Sequence, residues 1–160
     1  MLTITIDDAD ALKGLNTLIN NAKDSHRMMK SLAEELKTLT TENFESQSFG
    51  GQGWQPKAFG KGRTLQDTGE LSDSISTKAT STTAQVGTNV VYARIHHFGG
   101  TIHAKKAPFL MFKTPSGFAR VKSVTIPSRP FLPVSPSGQL QSGADKRLID
   151  TALEALKKGL

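Results

Sequence analysis

Ser74-Ile75-Ser76-Thr77-Lys78-Ala79-Thr80-Ser81-Thr82-Thr83-Ala84-Gln85-Val86-Gly87-Thr88 decides the fold class. Ile75, Thr77 and Ala79 alternate with Ser76, Lys78 and Thr80, the period of a half-buried strand. Thr83–Thr88 repeats that pattern, and Thr80–Thr82 between them predicts a hairpin connection. Upstream, Thr68-Gly69-Glu70-Leu71 reads as a turn entering the first strand. Downstream, Val91, Ile95 and Phe98 fall at i, i+4 and i+7, which predicts a short helix over Val90–Phe98. Asn89 would cap it, and Gly99-Gly100 would stop it.

Further out, Phe109–Phe112 and Val121–Ile126 read as two more strands around the turn-rich Thr114-Pro115-Ser116-Gly117. Pro127-Ser128-Arg129-Pro130 cannot pair inside a sheet and is expected to be extended and loop-like. Gly138–Gly143 is a polar break. Leu148/Ile149, Ala152/Leu153 and Leu156 then predict an amphipathic helix over Asp145–Lys158. At the other end, Leu2, Ile4 and Ile6 alternate with Thr3 and Thr5, a short strand, and Asp7, Asp8 and Asp10 supply helix-start chemistry. Leu12, Leu15, Leu18/Ile19, Ala22, Met29, Leu32/Ala33, Leu36 and Leu39 continue at helical spacing to about Phe44. The stripe lapses near Asp24-Ser25-His26. An unbroken helix of ~30 residues would be about 45 Å long. Either it breaks, or a neighbouring subunit covers part of its stripe around Met28–Leu39, with Leu32 and Leu36 as candidate interface residues.

The expected class is therefore α+β: a small antiparallel sheet packed by a long N-terminal helix and a C-terminal helix. The chain of 160 residues is read as a single domain. Residues 1–48 hold the strand and long helix, 49–64 a glycine-rich loop, 65–135 the sheet core with its short helix, and 136–160 the C-terminal helix. In the glycine-rich loop the phosphate-cradling GxxxxGK[ST] spacing is absent, so a flexible connector is the reading, with Trp54 as its anchor.

Composition bounds the function. There is no cysteine, hence no disulfide and no thiolate metal ligand. The opening residues lack a basic region followed by a long apolar run, and no stretch reaches the ~18 consecutive apolar residues of a span. A soluble cytoplasmic protein without membrane contact is expected. The net charge of +6 is uneven: residues 1–48 balance to −3, residues 49–140 to +8, and the last twenty to +1. A basic middle suggests a partner of negative potential, either nucleic acid or the acidic face of a neighbouring subunit. Lys105-Lys106 is the only adjacent basic pair there, so no dense basic run forms.

No catalytic or metal signature emerges. His96 and His97 are adjacent and diverge by about 100° on a helix, so they do not chelate as an i, i+4 pair does. No carboxylate lies between Asp73 and Asp145 to orient them or His103. No serine sits in a G-x-S-x-G elbow. Asp67, Glu70 and Asp73 suit turn and capping duty. The chain is read as a non-enzyme with no cofactor. Arg129 stands out, because Pro127 and Pro130 fix its backbone. Its planar guanidinium would capture a carboxylate or phosphate, or pair with the acidic N-terminal helix, while Phe131 and Leu132 anchor the segment.

Three blocks together resemble a known family: Thr68-Gly69-Glu70-Leu71-Ser72-Asp73-Ser74-Ile75, then Tyr92-Ala93-Arg94-Ile95-His96-His97-Phe98-Gly99, then Ile126-Pro127-Ser128-Arg129-Pro130-Phe131-Leu132. Their order is similar to that of the virion morphogenesis, or tail completion, proteins of Mu-like and related tailed phages and prophages. The resemblance implies a structural protein that completes the tail or joins it to the head. It further implies a ring of copies at the neck, contacts with connector and tail-tube or terminator proteins, and proximity to DNA. Such a protein would assemble in the cytoplasm of the bacterial host and end in the virion neck or tail. Tyr92, Arg94, His96, His97, Arg129 and Phe131 are then candidate interface residues beside Leu32 and Leu36. The alternative from another class is a basic nucleic-acid-binding module. Its weakness is a shortage of aromatics among the basic residues, Tyr92 and Trp54 being the chain's only Tyr and Trp.

Overall fold

The computed structural model describes residues 9–60 and 62–160, so the strand expected at Leu2–Ile6 lies outside them. The N-terminal helical pattern divides where the apolar stripe lapses, giving α1 (Ala9–Lys23) and α2 (Ser25–Ser46). Asp24 makes the break. It caps α2 by accepting from the Arg27 backbone N–H and pairs with the Arg27 side chain at 3.2 Å. Gln47 closes α2 in the left-handed region at φ 55°.

The rest is short elements. A minimal hairpin joins β1 (Ser48–Phe49) and β2 (Gln52–Gly53). One helical turn, α3 (Glu70–Asp73), occupies the expected turn and leads to β3 (Ser76–Ala79) and β4 (Ala84–Gly87), paired as predicted. Then follow α4 (Ala93–Phe98), β5 (Gly100–His103), β6 (Leu110–Thr114), β7 (Gly117–Val121), β8 (Ser123–Ile126) and α5 (Ala144–Lys157). The class is α+β, with the strands in four antiparallel two-stranded ladders, β1–β2, β3–β4, β5–β8 and β6–β7. The run read as one strand over Val121–Ile126 is divided at Lys122, because β7 pairs back on β6 while β8 crosses to β5. Strand β5 directly after the glycines was not foreseen. Its Gly100-Thr101-Ile102-His103 carries too little apolar period to register.

The start of α4 also differs from expectation. Thr88, not Asn89, accepts the Val90 N–H in a local turn, and the helix begins only at Ala93. Its inward residues are Ala93 and His97. Val91 is 96% exposed and Phe98 about half exposed, so the Val91–Ile95–Phe98 period does not mark the buried face. The stop at Gly99 is as read, and here glycine is required. Its φ is +71°, and a Cβ would lie 2.7 Å from the Ser128 backbone nitrogen.

Helix α2 organises the packing. Helix α5 lies along one side of it and β3–β4 along another, while α1 rests on α5. Ala33, Leu39 and Ala144 are sealed among the helices. Arg147 on α5 reaches Glu35 at 2.7 Å and Glu42 at 3.0 Å on α2. All three are partly exposed, so the network contributes only about 1 kcal/mol. Asn21 of α1 donates to the carbonyls of Leu156 and Lys158, closing the open C-terminal end of α5. At the far end of α2, Phe44 stacks on Phe131 with centroids 5.4 Å apart and meets Trp54 edge-on at 5.9 Å. Leu71, Ile75 and Ala93 complete that core.

Phe131, 1% exposed, is the residue most enclosed by this core. Phe131→Ala should lower unfolding free energy by about 3–5 kcal/mol in urea denaturation. A loss under about 1 kcal/mol would show that the Phe44–Trp54–Phe131 cluster does not support the fold.

Candidate functional site

The glycine-rich segment is more than a flexible connector. Trp54 inserts into the core and donates its indole N–H to the Pro130 carbonyl at 3.0 Å. Arg63 donates to the Phe44 and Glu45 carbonyls, covering exposed acceptors at the C-terminal end of α2. The Gln47 side chain bonds both the backbone N–H and the carbonyl of Thr64. These ties hold residues between Lys57 and Gly60 and between Arg63 and Leu71 as one wall of a cleft of about 940 Å³. The other walls come from α4, through Tyr92 and His96, from the β6 end at Lys113–Pro115, and from Arg129.

Arg129 lies on the floor of this cleft and is 5% exposed. Its Nε donates to the Gln55 carbonyl at 2.7 Å and its Nη2 to the Pro56 carbonyl at 2.9 Å. Its backbone N–H donates to the His96 backbone carbonyl at 2.8 Å, which fixes α4 against the proline-flanked segment. Of the alternatives read for Arg129, an ion pair with the acidic N-terminal helix is absent among the described residues. Its guanidinium instead bonds the Gln55 and Pro56 carbonyls of the glycine-rich loop, while Glu35 and Glu42 of α2 pair with Arg147. Burial pushes the Arg129 pKa below its ordinary value, although the group stays charged.

The structure brings Tyr92, His96 and Arg129 together and separates the other candidate residues. Tyr92 donates to Glu70 at 2.8 Å, and that hydrogen bond raises its pKa. Arg94 lies outside, 5.8 Å above the Phe98 ring. Leu32 and Leu36 are half-buried on α2. Phe131 belongs to the core. Lys57, Arg63, Asp67, Glu70 and Lys113 complete the charged lining. Nothing in their spacing marked them, since they come from a loop, a helical turn and a strand end joined only in the folded chain.

No hydroxyl–imidazole hydrogen bond occurs among the described residues, and no three His, Asp or Glu side chains converge in the cleft on one point. Ser128 donates to the backbone carbonyl of His97, not to its ring. His97 is 2% exposed, edge-on to Phe131 at 5.1 Å, and neither ring nitrogen has a hydrogen-bond partner. Burial holds its pKa below 6.5. The Val134 backbone acts in the opposite sense without reaching a formed hydrogen bond. His96 is lowered as well, by burial first and by the Arg129 charge second.

A depressed histidine pKa makes the unfolded chain the stronger proton binder. Stability should therefore be full above about pH 6.5 and decline as pH falls below it. In thermal unfolding between about pH 7.5 and 5, His97→Leu should show a shallower acid-side loss than the unaltered chain. Parallel pH curves would mean that His97 is not buried as the neutral ring.

Comparison with known proteins adds what geometry alone does not. The profile of the phage virion morphogenesis family matches residues 6–156. Mu-like prophage FluMu G protein 2 of Haemophilus influenzae is 32% identical over 141 residues, 87% of this chain and 88% of that protein. No solved structure matches. The order of blocks from Thr68 to Leu132, the near full-length match and the relative's identity agree: the chain belongs to the phage virion morphogenesis family.

Proposed function

We propose that the chain is a structural subunit that associates with its own copies in a ring at the junction of head and tail. There it completes the tail or joins it to the head through connector and tail-tube or terminator proteins. It works by surface complementarity, without catalysis. Family membership supports the role in virion morphogenesis. Helix α1 is the observation that carries self-association.

Helix α1 is amphipathic yet contains no buried residue. Gly14, Leu18 and Asn21 are partly covered, with Asn21 tied to the end of α5, but Leu12, Leu15 and Ile19 are 51%, 53% and 43% exposed. These three fall at i, i+3 and i+7, one stripe along the helix. Ile149 and Leu153 of α5 are exposed at i and i+4. An apolar stripe of this kind on an isolated chain marks an interaction surface. The uncovered stretch thus lies N-terminal to Leu32 and Leu36, on the helix before the Asp24 break. A ring requires head-to-tail contacts, in which this face meets a different face of the next copy.

Leu15→Glu/Ile19→Glu should leave the melting temperature within about 2 °C while removing the higher-mass species, since exposed positions contribute little to the fold. Native mass spectrometry over a concentration series reads the outcome. An unchanged distribution of masses would refute association through α1.

A further inference from the structure

Among the described residues, Arg129 is a buried cation without a counterion. Both groups it bonds, the Gln55 and Pro56 carbonyls, are neutral, and it takes part in no ion pair among the described residues. A buried charge without a counterion is costly, so the arrangement gains by acquiring one. The two bonds use the Nε side of the guanidinium. Nη1 makes no hydrogen bond among the described residues, which leaves the end-on edge, with its parallel N–H groups, unpaired. That edge has the geometry to grip a carboxylate with two hydrogen bonds. Beside it on the cleft wall, His96 Nδ1 is also buried without a partner.

We propose that the Arg129 cleft is a carboxylate-recognition site for an extended segment of another protein chain, with an aspartate or glutamate seated end-on against the guanidinium. This rests on the reading of the chain as an assembly subunit, and it supplies the chemistry of one contact. The lining selects the class of ligand. Asp67 and Glu70 stand in the same cleft, with Glu70 fixed by Tyr92. A nucleic-acid backbone, charged at every unit, would bring further phosphates against those acids. A peptide with one acid between apolar residues places a single charge on Arg129 and lays its neighbours on Phe59, Leu65 and Pro115. The volume of about 940 Å³ lies within the range of pockets that enclose a small ligand. Lys57 and Lys113 also line the cleft and add positive potential that draws an acidic segment inward.

The probe is a short acetylated and amidated peptide with one glutamate between two leucines, compared with its glutamine counterpart. In NMR titration of isotopically labelled full-length chain, the glutamate peptide should move the Arg129 Nε–H and His96 ring signals. It should bind at least tenfold more tightly than the glutamine peptide, a difference of about 1.4 kcal/mol. Arg129→Lys should remove most of that discrimination. Lys113→Glu, at an exposed position remote from the core, should weaken binding severalfold with unchanged melting temperature, which keeps the test decisive if Arg129 variants unfold. Equal affinity for both peptides overturns the proposal, as does no binding by either. So does a duplex oligonucleotide that moves the same signals at about 150 mM salt while the peptides do not. Excess glutamate peptide that disperses oligomers assigns the carboxylate to a neighbouring copy, whereas oligomers that persist with peptide bound assign it to a different virion protein. Peptide binding by a chain that stays monomeric leaves this site standing and refutes the ring.

Discussion

The segment from Ile126 to Pro133 runs past the C-terminal end of α2 with Arg129, Phe131 and Pro133 buried, although three of its residues are prolines that donate no hydrogen bond, and the rest of the molecule is arranged around that constraint. Three of its carbonyls accept from other elements. Trp54 serves Pro130, Asn43 serves Phe131, and the Gln141 N–H serves Pro133. Of the donors that remain, Arg129 N–H reaches His96 and the Ser128 hydroxyl reaches His97. Glycine-rich loop, α2, α4 and the approach to α5 are thereby tied to a single strap. Phe131 is its hydrophobic anchor, between Phe44 and His97. Arg129 emerges two residues earlier, into the cleft and not into the core.

The same constraint divides the surface by function. Around the strap, the aromatic cluster is closed and hydrogen bonds to backbone carbonyls tie the neighbouring elements together. Away from it, the molecule leaves apolar surface uncovered on α1, on α5 and on the β6–β7 hairpin, where Met111 is 60% and Phe118 72% exposed. A subunit with a firm centre and open flanks suits assembly, since the centre folds unaided while the flanks wait for neighbours. No described helix is long and apolar enough to cross a membrane. Membership of a virion morphogenesis family agrees with this division.

Much of the fold was legible because its signals are local. The α1–α2 break was visible as a lapse in a stripe, with Asp24 present to cap what followed. The β3–β4 hairpin was visible as period-two alternation around a threonine-rich turn. The fate of Val121–Ile126 was not visible, because a strand that changes partner at Lys122 has the same alternation as one that does not. The buried face of α4 was misread for a related reason. Val91 lies before the helix, and a histidine takes the inward place where an apolar residue was expected. At the site, the prolines correctly marked Arg129 as held in place. Its partners are backbone carbonyls of Gln55 and Pro56, and no side-chain pattern records those. Lys57 and Lys113 became part of one cleft only through long-range folding.

Hydroxyl-radical footprinting of the isolated chain and of the chain in phage assemblies tests the central claim most directly. If the uncovered faces exist to be covered in assembly, Leu12, Leu15 and Ile19 should lose most of their labelling in the particle. Phe131, enclosed in both states, should stay unlabelled throughout. Equal labelling of α1 in the free and assembled chain would contradict the account, because the apolar stripe would then serve no contact.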